Sequence, residues 1–261
     1  MIPAQNVIAW SNVVPWPNAR QVEQDLIISR APVEVFSDEL LCGALRFRGG
    51  TALNKLHFPE PMRYSEDIDL VRTSAGPIGP ILGPLRAVLE PWLGRAKFDQ
   101  SAGAPKLRFR VAAEDPSGVP IRLKIEIDTR EVHAFDAATA LPLQVANPWF
   151  SSGATIPTFS REEMLATKLR ALLQRDKGRD LYDIAHGLEV FKGLDIGRIV
   201  KISENTWPFR GRPSRGHRLR NECSPSWRIL ASCSMWPPCC PLLTPKRSPE
   251  RREASRFAGC S

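Results

Sequence analysis

No apolar run approaches the roughly 18 residues that a membrane helix needs, and Met1 to Trp10 lack the basic-then-apolar order of a secretory leader. The expectation is a cytoplasmic protein without a membrane span. Histidine is sparse, and His57, His133, His186 and His217 are too scattered to suggest a metal cluster. Cysteine is nearly missing from the first 202 residues, where only Cys42 occurs. With no histidine implied beside it, Cys42 reads as a small core residue and not as a nucleophile. The other five cysteines fall after residue 202, without any Cys-x-x-Cys pair and with Cys239 and Cys240 adjacent, a poor spacing for zinc.

Charge is as uneven as cysteine. The chain carries a formal +8, of which +7 lies in residues 203–261, where eleven Lys and Arg face four Glu and no Asp. That segment also holds eight prolines and three tryptophans, and no stretch in it repeats at a helical or strand period. Three readings compete for it. It is a basic arm for nucleic acid, with Arg210, Arg212, Arg215, Arg218 and Arg220 beside Trp207; a cysteine knuckle; or translation in a shifted reading frame, which the compositional break favours. The division that follows is a core over 1–157, a helical part over 158–202, and an anomalous basic tail over 203–261, disordered or frameshifted.

The body is near neutral and regularly patterned. After an irregular lead-in over 1–17, Val22, Leu26 and Ile27 recur at helical spacing behind Asn18 as N-cap. Pro32 opens a second helix carrying Val35, Phe36, Leu40 and Leu41. Gly76-Pro77-Ile78-Gly79-Pro80 is a connector, followed by a helix from about Ile81 to Leu93. Residues 106–112 alternate with Leu107, Phe109 and Val111 on one face. Residues 121–127 alternate again, setting Ile121, Leu123, Ile125 and Ile127 against Arg122, Lys124, Glu126 and Asp128. Asp115-Pro116-Ser117-Gly118 between them is turn chemistry, so the two form a hairpin. Residues 129–159 read as loop-rich with a short strand. Ser160-Arg161-Glu162-Glu163 is a capping box, and Met164, Leu165, Leu169, Leu172 and Leu173 stripe the helix behind it. A second helix follows the break at 176–178, with Asp180 and Asp183 sharing one face.

The chemistry concentrates between Arg46 and Val71. The apolar run Ala44 to Phe47 ends at Gly49-Gly50-Thr51, and Thr51 to Leu56 reads as the opening turn of a helix. Paired glycines let backbone N–H groups approach an anion, and a helix start adds a favourable dipole. Next comes Tyr64-Ser65-Glu66-Asp67-Ile68-Asp69. On a strand, Asp67 and Asp69 share a face, and two adjacent carboxylates call for a hard divalent cation, Mg²⁺ above all. A phosphate cradle beside a two-carboxylate metal site points to chemistry on a nucleoside triphosphate.

Gly-Gly-Thr followed by Ser-x-Asp-x-Asp resembles the nucleotidyltransferase superfamily that includes DNA polymerase β. The string Lys168-Leu169-x-Ala171-Leu172-x-x-Arg175-x-Lys177-x-Arg179-Asp180-Leu181-Tyr182-Asp183 resembles the second signature of its AbiEii/AbiGii toxin branch. The resemblance covers about residues 20–200. It implies an α/β (α+β) fold, a small mixed sheet of the polymerase-β type plus a helical C-terminal part, and an Mg²⁺-dependent nucleotidyltransferase. It also implies a third carboxylate from a neighbouring strand, Glu126 with Asp128 as the alternative. Gly49, Gly50, Thr51 and Ser65 carry over as nucleotide-binding positions and Lys168 as a triphosphate ligand. Asp180 carries over as the essential helical acid, with Asp183 as the alternative. The implied biology is a toxin of a toxin–antitoxin or phage-defence pair. It would pass a nucleoside monophosphate from GTP or CTP to tRNA, with a protein hydroxyl as the alternative acceptor and a cognate antitoxin as partner. The rival from another class is a non-catalytic triphosphate-binding or antitoxin-binding module, an inactive copy with a truncated C-terminus.

Overall fold

The computed structural model describes residues 2–206 except 62, 102, 115–117 and 176. In chain order the elements are α1 (Ala4–Ser11), α2 (Ala19–Ser37), α3 (Glu39–Ala44), β1 (Leu45–Arg48) and α4 (Gly49–Ala52), which runs on as a π-helical turn over Leu53–His57. Then come β2 (Asp67–Arg72), α5 (Gly79–Leu93), β3 (Lys97–Asp99), β4 (Lys106–Val111) and β5 (Ile121–Asp128). A second pair of strands, β6 (Thr139–Asn147) and β7 (Phe150–Thr158), precedes α6 (Arg161–Arg175), α7 (Gly178–Val190) and α8 (Ile196–Asn205). The main sheet is mixed, in the order β1-β2-β5-β4-β3, with β2 and β5 parallel and the other neighbours antiparallel.

Strand alternation builds the site. On β5 the alternate positions Ile121, Leu123, Ile125 and Ile127 are all buried. Each withdraws enough apolar surface to contribute about 2 kcal/mol. They pack with Leu107 and Phe109 of β4, Ile68 and Leu70 of β2, and Leu45 and Phe47 of β1 in one core that also takes in α2 and α5. The same period-2 rule turns Lys124, Glu126, Asp67 and Asp69 to the opposite face, which is only half covered. The buried face supplies the stability; the polar face is left for chemistry.

Several expectations are corrected. The two helices expected on either side of Pro32 are one, α2, which passes through the proline. Pro32 removes one helical hydrogen bond. Its neighbours Ile27, Ile28, Ala31 and Val33 are all buried, and packing on this scale outweighs the propensity penalty. Asn18 does cap it, its side chain accepting from the Arg20 amide at 2.9 Å. The lead-in is not irregular throughout. It contains α1, tied down at Asp25, which accepts from the indoles of Trp10 (3.0 Å) and Trp16 (2.9 Å) and from Lys55 Nζ (2.7 Å). The passage 129–159 holds two nine-residue strands paired as a hairpin. Pro142, Gly153 and Pro157 disguised them, and such residues are tolerated in a two-stranded ribbon where both strands are edges. The helix after the glycines begins at Gly49 and not at Thr51.

The capping box of α6 is half formed. The Glu163 amide donates to Ser160 Oγ at 3.1 Å, but the Glu163 carboxylate turns to the amides of Phe135 and Asp136. The periodicity expected to stop near residue 202 continues to the end of α8 at Asn205, with Ile199, Ile202 and Ser203 buried. The frameshift reading of the tail falls on residues outside the described ones, as does most of the Asp115–Gly118 turn. No helix among the described residues is long and apolar enough to cross a membrane.

Candidate active site

The polar face of the sheet forms the floor of a cleft of about 390 Å³. Asp67, Asp69, Lys124 and Glu126 line it from β2 and β5, Gly50 from the helix start, and Arg63, Tyr64, Ser65 and Glu66 from the loop before β2. Lys168 of α6 and Arg175 and Arg179 around the α6–α7 connection close it from the other side. The cleft is bipolar: carboxylates on the sheet, cations on the helical wall.

The register of the parallel pair explains the floor. Asp69 stands beside Glu126 and Asp67 beside Lys124. Lys124 Nζ lies 2.9 Å from Asp67 Oδ2 and 3.4 Å from Glu126 Oε2. Burial opposes a charge on Lys124, but the Asp67 hydrogen bond and the charges of Asp67 and Glu126 raise its pKa. Burial also pushes the Asp69 carboxyl up, reinforced by the Asp67 charge and partly offset by Arg48. Asp128, the alternative third acid, is committed elsewhere. It pairs with Arg48 at 3.0 Å and accepts from the amides of Arg130 and Glu131.

Gly49 has a φ of +86°, and a Cβ there would collide with the Asp69 carboxylate. The first glycine is therefore required both by its backbone and by the acid beside it. Thr51 is fully buried. Its hydroxyl is taken by Ser65 Oγ at 2.7 Å and by the backbone carbonyl of Asp67, so it pins the helix start to the entry of β2 and is not presented to the cleft.

On the helical wall, Asp180 and Asp183 have no exposed surface. Asp180 takes a two-pronged contact from Arg175 at 2.8 and 2.9 Å, and Asp183 one from Arg63 at 2.6 Å on both oxygens. Lys168 Nζ bridges them, 3.3 Å from Asp180 and 2.8 Å from Asp183. Burial would raise the Asp180 carboxyl, but the Arg175 hydrogen bonds and the Lys168 charge hold it below the usual range. Both acids are thus holders of cations.

The donor set of the floor suits a hard divalent ion: Asp67, Asp69 and Glu126 offer carboxylate oxygens from adjacent strands. Their negative charge is met here by the Lys124 ammonium. Among the described residues no three His, Cys, Asp or Glu side chains form a metal cage by themselves.

A family model described as nucleotidyl transferase AbiEii toxin, type IV toxin–antitoxin system, matches residues 33–253. The chain belongs to this family. The AbiEii family is one of nucleotidyl transferases, and that is the enzyme class of the chain. Among solved structures, MenT4, a nucleotidyltransferase toxin from Mycobacterium tuberculosis H37Rv, superposes with a TM-score of 0.57 at 18% identity, covering 78% of this chain and 69% of MenT4. JHP933 from Helicobacter pylori gives a TM-score of 0.49 at 20% identity, covering 67% of this chain and 68% of that one. The MenT4 likeness supports the mixed α/β fold expected from the signatures. No curated protein matches at a significant level.

For this AbiEii-family chain, the cleft gathers Gly50, Ser65, Asp67, Asp69, Glu126 and Lys168 from the expected residues. Thr51, Asp180 and Asp183 lie behind its surface. Sequence reasoning assigned no role to Arg63, Lys124, Arg175 or Arg179. Arg175 and Arg179 flank Asp180 within the second signature, and Lys124 sits two residues before Glu126 on the same strand face. Those offsets were available signals. Arg63, in a loop without periodicity, left none.

Proposed function

We propose that the chain catalyses Mg²⁺-dependent nucleotidyl transfer from a nucleoside triphosphate, GTP or CTP, to an acceptor hydroxyl, the 3′ end of tRNA, as the toxin partner of a cognate antitoxin. The observation that carries this is the bipolar cleft, with Asp67, Asp69 and Glu126 facing Lys168, Arg175 and Arg179. A triphosphate bound to a divalent cation has that charge distribution.

Asp67, Asp69 and Glu126 would hold the metal, which supplies charge stabilisation at the oxygens of the reacting phosphate. Lys168, Arg175 and Arg179 bind the β- and γ-phosphates and neutralise the charge that grows on the leaving pyrophosphate. Gly50 and Ser65 offer an amide and a hydroxyl at the cleft wall. The acceptor oxygen forms a bond to the α-phosphorus, the bond from that phosphorus to the α,β-bridging oxygen breaks, and pyrophosphate leaves. The acceptor proton leaves to water in the cleft; the buried Asp180 and Asp183, with their oxygens already occupied by cations, act as supports and not as bases. Residues 203–261 are proposed to contribute nothing to this site.

The test is incubation of the purified protein with each α-labelled nucleoside triphosphate, Mg²⁺ and total tRNA, beside Asp67→Ala. Label entering tRNA with the wild type and falling at least about a hundredfold in the variant is the expected result. Nucleotide binding without any transfer would instead favour the non-catalytic module.

A further inference from the structure

One side chain touches both halves of the cleft. Arg63 follows the π-helical turn, where Asn54 Nδ2 donates to its carbonyl at 2.9 Å and fixes its backbone. Its guanidinium reaches across to α7. Nε and Nη2 each donate to Asp183 at 2.6 Å, and Nη1 donates to the Tyr64 carbonyl at 3.2 Å. A guanidinium has five N–H groups, so one hydrogen on each terminal nitrogen is left over. Both terminal nitrogens belong to a side chain that lines the cleft. Asp183 Oδ2 is shared between Arg63 Nη2 and Lys168 Nζ, so two cations are held on one buried oxygen at the cleft wall.

Gly50 makes the same point from the other side. A Cβ at Gly50 would collide with Arg63 Nη2, whereas Gly50 does not have a left-handed backbone conformation that would demand glycine. The second glycine of the pair is explained by the space that the guanidinium needs. Three separated parts of the sequence, the glycine turn, the loop before β2 and α7, therefore converge on the placement of one cation.

We propose that Arg63 is a phosphate-binding residue of this cleft, donating its two remaining N–H groups to the terminal phosphates beside Lys168. Asp183 acts as the positioning residue that aims it, and Gly50 is the residue that admits it. The inference rests on the nucleotidyl-transfer reading. A planar fork suits phosphate oxygens in a way that a lysine ammonium does not. Arg63→Lys therefore keeps the charge but loses both the grip on Asp183 and the aimed donors. Gly50→Ala keeps the amide N–H and an allowed backbone, and displaces only the guanidinium end, which is flexible.

The experiment uses the full chain and inorganic tripolyphosphate with Mg²⁺, titrated calorimetrically, together with KM and kcat for the nucleotide that the wild type transfers. Loss of a charge-assisted hydrogen bond corresponds to about a tenfold or greater weakening. Arg63→Lys and Gly50→Ala are each expected to raise the tripolyphosphate Kd and the nucleotide KM by about that factor. The double variant should be no weaker than Arg63→Lys alone, because both changes remove the same contact. Gly50→Ala keeps the guanidinium and Lys168 beside Asp183, so its Tm should fall less than that of Arg63→Lys, and it carries the test if Arg63→Lys does not fold. Unchanged Kd and KM in a folded Gly50→Ala, or in Arg63→Lys, overturn the role of Arg63 while leaving the transferase reading standing. A wild type that binds neither tripolyphosphate nor any nucleoside triphosphate overturns both.

Discussion

At the scale of single residues, the site is a place where charge is stored against the interest of stability. Asp69 sits beside Asp67 and Glu126, and burial with these neighbours raises its carboxyl above the ordinary range. A group whose folded pKa is raised contributes stability below its unfolded value, near 3.9 for aspartate, and loses it as pH climbs through the folded value. Above the unfolded value, neutral pH included, holding Asp69 in this place is therefore a cost. Asp69→Asn should abolish transfer yet raise Tm at pH 7 by about 2–4 °C, the shift made by roughly 1 kcal/mol in a chain of this size. The gain should vanish toward pH 4. Calorimetric melts of both proteins across that range are the check, and a variant less stable than the wild type at pH 7 would remove the argument. The same logic explains what the sequence could and could not announce. Asp67 and Asp69 were legible because the i, i+2 spacing maps directly onto one strand face. The place of the Thr51 hydroxyl is not legible, because a hydroxyl after two glycines suits a phosphate and a backbone carbonyl equally well, and only the fold decides which is near.

At the scale of elements, legibility followed periodicity. The strands β4 and β5 and the helices α5 and α6 declare themselves by alternation or by apolar stripe, and each lies close to its expected limits. The β6–β7 hairpin did not, since Ser151, Ser152 and Gly153 form a polar run on an exposed ribbon. One contact that ties the hairpin to the main sheet is encoded by no local pattern: Thr158 Oγ1, fully buried, donates to the Phe47 carbonyl of β1 at 2.8 Å. The bond joins β7 to β1 one residue before Arg48, and so braces the strand that leads into Gly49. Thr158→Val is nearly isosteric but leaves that carbonyl without its donor. It should destabilise the fold by about 1–3 kcal/mol. Urea denaturation with an unchanged m-value would report it, and no loss of stability would show that the carbonyl finds another partner.

For the whole molecule, the division of charge matters more than its total. Residues 1–202 balance 25 basic against 24 acidic side chains, and their strongest cations are spent internally, on Asp180, Asp183, Asp128 and Glu131. The body therefore offers little surplus attraction for a polyanionic acceptor, while residues 203–261 hold eleven of the basic groups. The family match runs through most of that segment, to residue 253, so membership alone does not decide between a working arm and a shifted frame. Mass action does. If the arginines from Arg210 to Arg220 engage nucleic acid, ending the chain after Thr206 will weaken tRNA binding and flatten its dependence on salt, because fewer counterions are released. If, as the composition favours, the segment takes no part, the shortened chain will keep its Tm within about 2 °C, its triphosphate affinity and its salt slope. A fall in Tm larger than that would mean that residues beyond Thr206 complete the core, and would sink the shifted-frame reading altogether.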